Sequence, residues 1–239
     1  MRQKVRQHVL AHLQTGDRIL ELNAGTGADA AFFADQGYSV HATDLSPGMV
    51  AAIEQKRTSL GLESRLTAEL CSFDSLEQFA GNSFDYVFSN MGGINCTEDL
   101  PGVASGVDKL LKPGGRVTWV VMPRICLWEL AQVLRVDFYT AMRRLHPHGT
   151  LANVEGKRFI TWYYPPRRVI QAFGKGFQLL QIQGLSVFTP PADHKSFPNH
   201  HPHLYHWLRW MDDLLADRNP FYRWGDFYIV TLEKRAGQR

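Results

Sequence analysis

The sequence predicts one α/β domain built on a doubly wound, mostly parallel sheet of seven strands. In the first half, short apolar runs of strand length alternate with helical stripes, which is the pattern of repeated strand–helix–strand units. A glycine-containing turn directly follows the first of these runs, as it does where a parallel sheet binds a ligand. A long insertion, not a simple crossover, joins the last two strands. We therefore expect an antiparallel last strand and helical insertions that cap the sheet.

Length and composition fit this domain and exclude several other classes of protein. The 239 residues are 44% hydrophobic and 21% charged, which excludes a disordered tail or a fibre. No apolar run approaches the roughly 20 residues that span a bilayer, and no signal peptide is visible, so we expect a cytoplasmic protein. A net charge of +3 is too small to demand a nucleic-acid partner. Cys71, Cys96 and Cys126 are too few for a disulfide framework and are expected to act as small apolar fillers.

The elements of the first half can be placed in order. A helical stripe at the N-terminus comes first, and Gly37 and Pro47 then mark the end of one helix and the start of the next, with Ser46 as its cap. Lys112–Gly115 form a turn before the fifth strand. The predicted strands are 18–22, 38–43, 65–70, 84–89 and 116–122, and the predicted helices between them are 28–35, 47–60 and 103–111.

The second half departs from this alternation. We divide the single domain into a cofactor-binding half at 1–122, a helical insertion or acceptor lid at 123–168, and a C-terminal half at 169–239 that contains a second insertion at 189–224. The C-terminal half is expected to hold a helix at 169–173, a strand at 177–187, a helix at 204–217 and a last strand at 227–233.

The turn after the first strand carries the residues of a ligand site. Gly25 and Gly27 let the backbone turn tightly and approach a ligand, and the next helix begins there with unpaired N–H groups. Asp44 ends the second strand, where an acid can accept both hydroxyls of an adenosine ribose. The spacing Gly25-x-Gly27-x-x-Ala30 also matches the dinucleotide fingerprint, so residues alone leave two cofactor classes open.

Four segments in order resemble class I S-adenosylmethionine-dependent methyltransferases, whose fold is Rossmann-like. They are 21–30, 42–49, 83–87 and 111–115, and together the resemblance covers about residues 16–122. Two positions depart from the family pattern. Asn23 replaces the first glycine, and Asn tolerates the left-handed conformation better than most residues, while Ser72 replaces the acid after the third strand.

The resemblance implies S-adenosylmethionine as cofactor and S-adenosylhomocysteine as product. Glu21 suits the cationic end of that ligand, directly or through water, whereas a pyrophosphate would gain nothing from it. Asp44 would bind the ribose, Leu45 and residues after the third strand would contact the adenine, and the end of the fourth strand would lie near the methyl group. The cofactor-binding residues implied are Glu21, Asn23, Gly25, Thr26, Gly27, Asp44, Leu45, Met49, Ser72, Phe73, Asn90 and Met91.

The reaction implied is in-line methyl transfer, in which positioning of the nucleophile is the main requirement. Residues 90–93 read Asn-Met-Gly-Gly, which disfavours the subclass that methylates base amino groups. Cys96 follows Asn95 where the cytosine C5 subclass has a proline before its nucleophile. The fifth strand ends without an acid, so we expect no metal.

The two insertions are expected to form the acceptor pocket, because ligands of such sheets bind beyond the carboxyl ends of the strands. Their many aromatic side chains suit a planar or lipophilic small molecule. The candidate substrate-contacting residues are Trp128, Tyr139, Tyr163, Tyr164 and Tyr205. His200, His201 or His203 is a candidate general base in the second insertion, and the spacing of the histidines there matches no zinc pattern.

Several alternatives remain at the level of sequence. They are methylation of RNA or protein, an NAD(P)-dependent oxidoreductase that uses the same glycine loop, and a binding module that has lost turnover. The sequence disfavours a nucleic-acid partner and leaves a homodimer open. It does not define the acceptor or the atom that is methylated.

Overall fold

The fold is known from a computed structural model, which describes residues 1–154, 157–192 and 194–237. The strands are β1 (Arg18–Leu22), β2 (Ser39–Asp44), β3 (Leu66–Leu70), β4 (Phe84–Ser89), β5 (Leu111–Val121), β6 (Thr150–Val154), β7 (Lys157–Thr161), β8 (Phe177–Leu185) and β9 (Phe227–Lys234). Seven of them form one sheet in the order β3-β2-β1-β4-β5-β9-β8, while β6 and β7 pair separately.

Strand direction in the large sheet agrees with the predicted fold class. Strands β1 to β5 pair in parallel, and β9 is antiparallel to both of its neighbours, β5 and β8. The predicted seven-stranded, mostly parallel sheet with an antiparallel last strand is therefore confirmed. The carboxyl ends of β1, β2, β4 and β5 consequently meet at one edge of the sheet, which is where the predicted cofactor residues lie.

Helices cover both faces of the sheet. They are α1 (Arg2–Leu10), α2 (Ala28–Asp35), α3 (Pro47–Ser59), α4 (Leu100–Leu110), α5 (Leu127–Leu130), α6 (Phe138–Met142), α7 (Pro166–Phe173), α8 (Phe197–His200) and α9 (Pro202–Leu215). One buried core packs α1, α2 and α3 on the sheet, and a second packs α4 and α7 on the opposite face. None of the helices in the described ranges is long and apolar enough to cross a membrane.

The structure corrects three local predictions. The insertion at 123–168 is not all helical, because it contains the antiparallel hairpin β6–β7. Side chains that alternate between the two sides of the backbone favour strand pairing over a helix. Ser46 is the N-cap residue of α3, but its side chain makes no capping hydrogen bond. Helix α4 begins three residues earlier than predicted, because the Asp99 side chain accepts a hydrogen bond from Gly102 N at 2.9 Å and caps it there.

Candidate cofactor site at the carboxyl ends of the strands

The loop between β1 and α2 has the backbone conformation that its residues predict. Asn23, Gly25 and Gly27 have φ values of 53°, 56° and 69°, all in the left-handed region. Gly27 is also the N-cap of α2, and a Cβ atom there would lie 2.8 Å from Cγ1 of Ile53 on α3. Glycine is therefore required at position 27 for conformation and for space, and the loop can approach a ligand closely.

Asn23 replaces the first glycine of the family pattern, and the structure shows how the fold accommodates it. A Cβ atom on Gly93 would lie only 2.7 to 2.9 Å from the Asn23 side chain, so the glycine at 93 leaves room for Asn23. The Ser89 hydroxyl at the end of β4 also donates to Asn23 Oδ1 at 3.3 Å. The side chain thus ties the glycine loop to the loop after β4.

Glu21 is a buried carboxyl group directly below this loop. Glu21 is only 2% exposed, and its Oε2 atom has no hydrogen-bond partner among the described residues. Burial raises the pKa of Glu21 well above its ordinary value, and the nearby Asp29 carboxylate adds to this rise, while Arg2 and Arg6 oppose it. The site therefore holds one buried carboxyl oxygen, Glu21 Oε2, that lacks a hydrogen-bond partner among the described residues.

Asp44 shapes the same loop from β2. Its Oδ2 atom accepts a hydrogen bond from Gly25 N, and Oδ1 accepts one from Ser46 N, both at 2.9 Å. The carboxylate is thereby fixed beside the glycine turn, and each oxygen keeps a second lone pair for another donor. The next residue, Leu45, is 71% exposed, so its apolar side chain stands in solvent next to Asp44.

The remaining predicted cofactor residues lie at the edge of this site. The Thr26 carbonyl accepts a hydrogen bond from Lys56 at 2.7 Å, and Met49 is half-buried in the first turn of α3. After β3, the Ser72 hydroxyl accepts a hydrogen bond from Asp74 N at 3.2 Å, and Phe73 packs half-buried against the core. Ser72 therefore has a structural role in its own turn.

The turn after β4 has an unusual backbone. Met91 has a φ of 50° and is 40% exposed, and Gly92 has a φ of 76°. The Asn90 side chain is buried and accepts a hydrogen bond from Met91 N at 2.7 Å. A methionine in the left-handed region is uncommon, and such residues cluster at functional sites.

Sequence reasoning missed a charged cluster that fastens α1 to this site. Asp29, in the first turn of α2, is 2% exposed and accepts hydrogen bonds from Arg2, Arg6 and Asn90, each at 2.7 Å. Arg6 also donates to Ala28 O at 2.5 Å. The cluster joins α1, α2 and the end of β4. In the sequence, the one indication of it is Asp29, an acid in the first turn of a helix.

Asn95 was missed as well, and it joins the first insertion to the sheet. It is fully buried, its Nδ2 atom donates to Met122 O at 3.1 Å and Trp162 O at 2.5 Å, and its Oδ1 accepts from Met122 N at 2.9 Å. Trp162 N donates in turn to Asn95 O at 2.7 Å. The segment after β7 is thereby held beside the loop after β4.

The five predicted substrate residues do not form one group. Tyr164 is 1% exposed and donates to Thr97 O, so it belongs to the core and cannot line an open pocket in this conformation. Tyr163 is half-buried near Arg144, whereas Tyr139 on α6 is 70% exposed. Trp128 donates to Phe188 O at 2.8 Å and so links the two insertions. Tyr205 lines a cavity of about 480 Å³ between α1 and α9.

The candidate base residues lie at the surface. His200, His201 and His203 are all exposed, at the end of α8 and the start of α9. The contacts of the first two are local, because His200 Nδ1 lies 2.9 Å from Ser196 O and the His201 ring lies 5.2 Å from that of Phe197. A role for these histidines stays a prediction.

One group of side chains in the described part of the chain has the spacing of a metal site, namely Cys126, Glu129 and Asp226. Arg144, which is 3% exposed, donates to Glu129 Oε1 and Asp226 Oδ1 at 2.6 and 2.7 Å. These bonds contribute to a raised pKa of Arg144, and the pKa of Glu129 is lowered by its hydrogen bonds to Arg143 and Arg144 against the opposing effect of burial. The two carboxylates therefore already have cationic partners, since Arg143 also pairs with Glu129.

Comparison with known proteins agrees with this geometry. The sequence model of a family described as "Methyltransferase domain" matches residues 19–115. A demethylmenaquinone methyltransferase of Beutenbergia cavernae is 34% identical over 102 residues, which are 43% of this chain and 39% of that protein. Phosphoethanolamine N-methyltransferase 2 of Caenorhabditis elegans is 38% identical over 107 residues, which are 43% of this chain and 23% of that protein. The chain thus spans two fifths or less of the length of these relatives.

Solved structures show the same fold over nearly the whole chain. An S-adenosylmethionine-dependent methyltransferase of Methanosarcina mazei superposes with a TM-score of 0.66 at 17% identity and covers 96% of this chain and 97% of its own. Geranyl diphosphate C-methyltransferase of Streptomyces coelicolor A3(2) gives 0.60 at 16% identity, over 98% of this chain and 79% of its own. The family model thus identifies residues 19–115 as similar to a methyltransferase domain. The solved structures show that the same fold extends through both insertions.

Proposed function

We propose that this protein transfers a methyl group from S-adenosylmethionine to a small-molecule acceptor, by in-line displacement and without a metal. The observation that carries the proposal is the unpartnered Oε2 atom of Glu21, buried below a loop with three left-handed residues. A buried carboxyl oxygen without a donor favours a ligand that brings a cation or donors. A pyrophosphate would gain nothing from such an oxygen, which disfavours the dinucleotide alternative.

The residues around Glu21 fit the rest of this cofactor. Asp44 is held beside Gly25 with a free lone pair on each oxygen, which suits the two hydroxyls of a ribose. Leu45 is exposed next to it and offers apolar surface to an adenine ring. Met91 lies two residues beyond the end of β4, at the same edge of the sheet as the glycine loop, which supports a position near the acceptor.

S-adenosylmethionine, when bound, supplies an electrophilic methyl group on a sulfonium sulfur. The chain's own part is to hold that group and the acceptor in line, and proximity and orientation can account for most of the barrier reduction. Met91 and Gly92 would present the backbone of the turn after β4 to the reaction centre. Asp29, with Arg2, Arg6 and Asn90, would keep the start of α2 rigid behind Glu21.

The acceptor class is argued from the insertions and from relatives. Asn95 places the segment at Trp162 and Tyr163 beside the loop after β4, so the 123–168 insertion is positioned to act as the acceptor lid. Aromatic side chains on both insertions suit a planar or lipophilic molecule. Several relatives are named demethylmenaquinone methyltransferases, which is consistent with an aromatic acceptor of this kind. The division at 122 and 168, a homodimer and a cytoplasmic location stay predictions.

The metal-independent mechanism is supported by the charges around the three side chains that the described residues place at metal-site spacing, Cys126, Glu129 and Asp226. Arg143 and Arg144 form ion pairs with Glu129, and Arg144 also pairs with Asp226, so both carboxylates already have cationic partners. Methyl transfer in the presence of excess EDTA would support this part of the proposal, and activity that required added Mg²⁺ would contradict it.

Isothermal titration calorimetry with S-adenosylmethionine, S-adenosylhomocysteine and NADH tests the cofactor. We expect micromolar binding of the first two and none of NADH. Asp44→Ala should weaken that binding by about 100-fold, since it removes two hydrogen bonds to a charged acceptor. Asp35→Asn, at an exposed position on α2, is the matched control and should bind normally. Binding of NADH alone would overturn the proposal in favour of a dinucleotide site.

A further inference from the structure

A short segment of the first insertion exposes an unusual amount of apolar surface. Between residues 133 and 142, Leu134 is 88% exposed and Tyr139 is 70% exposed. We call this segment the insertion patch, and its exposed apolar side chains are Val133, Leu134, Val136, Phe138, Tyr139 and Met142. Six large apolar side chains are exposed within ten residues, and exposed apolar clusters of this kind mark interaction sites.

Helix α9 exposes a second apolar surface. Trp207 and Trp210 are 54% and 59% exposed, and Leu204 and Leu214 lie on the same side of the helix, within an arc of about 120°. We call these four residues the α9 stripe. On the opposite side, Asp212 is buried and its carboxylate accepts hydrogen bonds from the backbone N–H groups of residues 187–189. The helix therefore buries Asp212 on its inner side and leaves the α9 stripe exposed to solvent.

The two surfaces belong to insertions that pack together. Trp128 on α5 lies with its ring 5.3 Å from that of Phe197 on α8, and α9 follows α8 after a single residue. Trp128 also donates to Phe188 O at 2.8 Å. The insertions that carry the insertion patch and the α9 stripe are thus in contact, and we call them together the cap.

The cap also carries the positive charge of the chain. Residues 123–168 hold eight of the 26 Lys and Arg residues but three of the 23 Asp and Glu residues, which leaves the rest of the chain slightly acidic. Of the acids in the described part of this insertion, Glu129 is paired with Arg143 and Arg144, and Asp137 caps α6 by accepting from Thr140 N. Arg135 lies exposed within the insertion patch itself.

We propose that the insertion patch and the α9 stripe bind the surface of an anionic phospholipid bilayer. Aromatic and aliphatic side chains interleaved with arginine are the composition that inserts into a headgroup region while basic groups stay at the anionic surface. A second copy of the chain is a poorer fit, because a twofold contact through the patch would oppose two positively charged insertions. Binding of this kind would bring a lipophilic acceptor within reach, but it does not depend on the methyl-transfer proposal.

Flotation of the full chain with phosphatidylcholine vesicles, with and without about 30 mol% phosphatidylglycerol, tests this inference. We expect binding to the anionic vesicles that falls at least tenfold between about 0.05 and 0.5 M salt. Trp207 and Trp210 should shift the fluorescence emission to shorter wavelength on binding. The variant Leu134→Ser/Phe138→Ser/Trp207→Ser/Trp210→Ser should lose at least about tenfold in partitioning.

The matched control is Leu60→Ser/Leu179→Ser, which removes one exposed leucine directly after α3 and one in β8 and should partition normally. Absence of wild-type binding to anionic vesicles would overturn the proposal, and so would equal binding to neutral vesicles or an equal loss in the control. A dimer in light scattering that the fourfold variant dissociates would assign the surface to a second copy instead. Calorimetric binding of S-adenosylmethionine, measured on the same variants, separates this result from the fate of the methyl-transfer proposal.

Discussion

Glu21 is held at a cost to the stability of the ligand-free protein. The carboxyl group is buried, its Oε2 atom has no partner in the described structure, and its pKa is raised by burial and by Asp29. A raised carboxyl pKa means that the folded state binds a proton more tightly than the unfolded state. The stability contributed by this group is therefore lost as pH rises from the unfolded toward the folded pKa.

We predict that Glu21→Gln stabilises the ligand-free protein at neutral pH while it weakens cofactor binding. The expected rise in the free energy of unfolding is roughly 1 kcal/mol, the size of a tenfold change in an ionisation equilibrium. Urea unfolding at pH 7 and calorimetry with S-adenosylmethionine measure the two effects. An unchanged affinity in Glu21→Gln would show that the carboxyl group does not face the ligand's cation.

The same carboxyl group predicts a proton effect on binding. A cationic ligand favours the ionised form of Glu21, so binding should release a proton from the fraction that is protonated in the free protein. Affinity should then increase as pH rises toward the raised pKa of Glu21. Calorimetry in two buffers of different ionisation enthalpy measures the released protons. In Glu21→Gln the release should disappear.

The candidate base in the second insertion is tested one residue at a time. If His200, His201 or His203 accepts the proton of the acceptor, its alanine variant should lose about 10²- to 10⁴-fold in turnover and change the pH profile. The other two variants then serve as controls on the same surface. Normal pH–rate profiles in all three variants would end this hypothesis and leave an acceptor that needs no base.

At the scale of elements, Asn95 connects the first insertion to the sheet. Its side chain satisfies Met122 N, Met122 O and Trp162 O in a fully buried position. Because a buried backbone group without a partner is costly, the three groups together fix how the segment after β7 lies on the loop after β4.

We predict that Asn95→Ala lowers the free energy of unfolding by about 2–4 kcal/mol, since it leaves buried backbone groups unpaired. Chemical denaturation measures this change, with Asn153→Ala on the exposed part of β6 as the control. Cofactor affinity should fall much less than turnover, because Asn95 supports the acceptor lid. A loss below 0.5 kcal/mol, the ordinary scatter of surface changes, would contradict the role assigned to it.

At the scale of the whole molecule, α1 is fastened to the sheet by contacts that depend on pH. His8 is buried, its Nε2 atom lies 2.8 Å from Thr231 Oγ1 on β9, and burial together with the nearby His12 lowers its pKa to about 4. The folded state therefore keeps His8 neutral, whereas the unfolded state protonates it below about pH 6.5. Stability should fall as pH decreases from about 6.5 to 4.

His8→Gln removes this titration while it keeps a polar group near Thr231. The wild-type protein should lose up to about 3 kcal/mol of stability through His8 between pH 6.5 and 4, and the variant should lose less over the same range. Urea unfolding at pH 7, 5.5 and 4.5 measures the difference. His148→Gln, at an exposed position in the first insertion, is the control, because it leaves His8 and its neighbour His12 in place. Parallel pH dependence in wild type and His8→Gln would contradict the prediction.

The local sequence determined the cofactor half of this protein. The strand ends, the left-handed turn at Asn23–Gly27 and the acid at Asp44 follow from patterns within a few residues, and parallel strand pairing then brings those positions to one edge. These features depend on short-range backbone geometry, which residue type largely fixes. Glu21 was identified from the resemblance to the methyltransferase family, and the antiparallel last strand was expected because a long insertion precedes it.

Only the tertiary structure decided the rest. The cluster of Arg2, Arg6 and Asp29 spans more than 20 residues of sequence, and the contacts of Asn95 with Trp162 span 67. The hairpin β6–β7, the burial of Tyr164 and the outward apolar side of α9 likewise depend on which distant segment each one meets. Packing between remote segments has no periodic signature in the chain, so the acceptor side of the molecule could not be read from residue spacing alone.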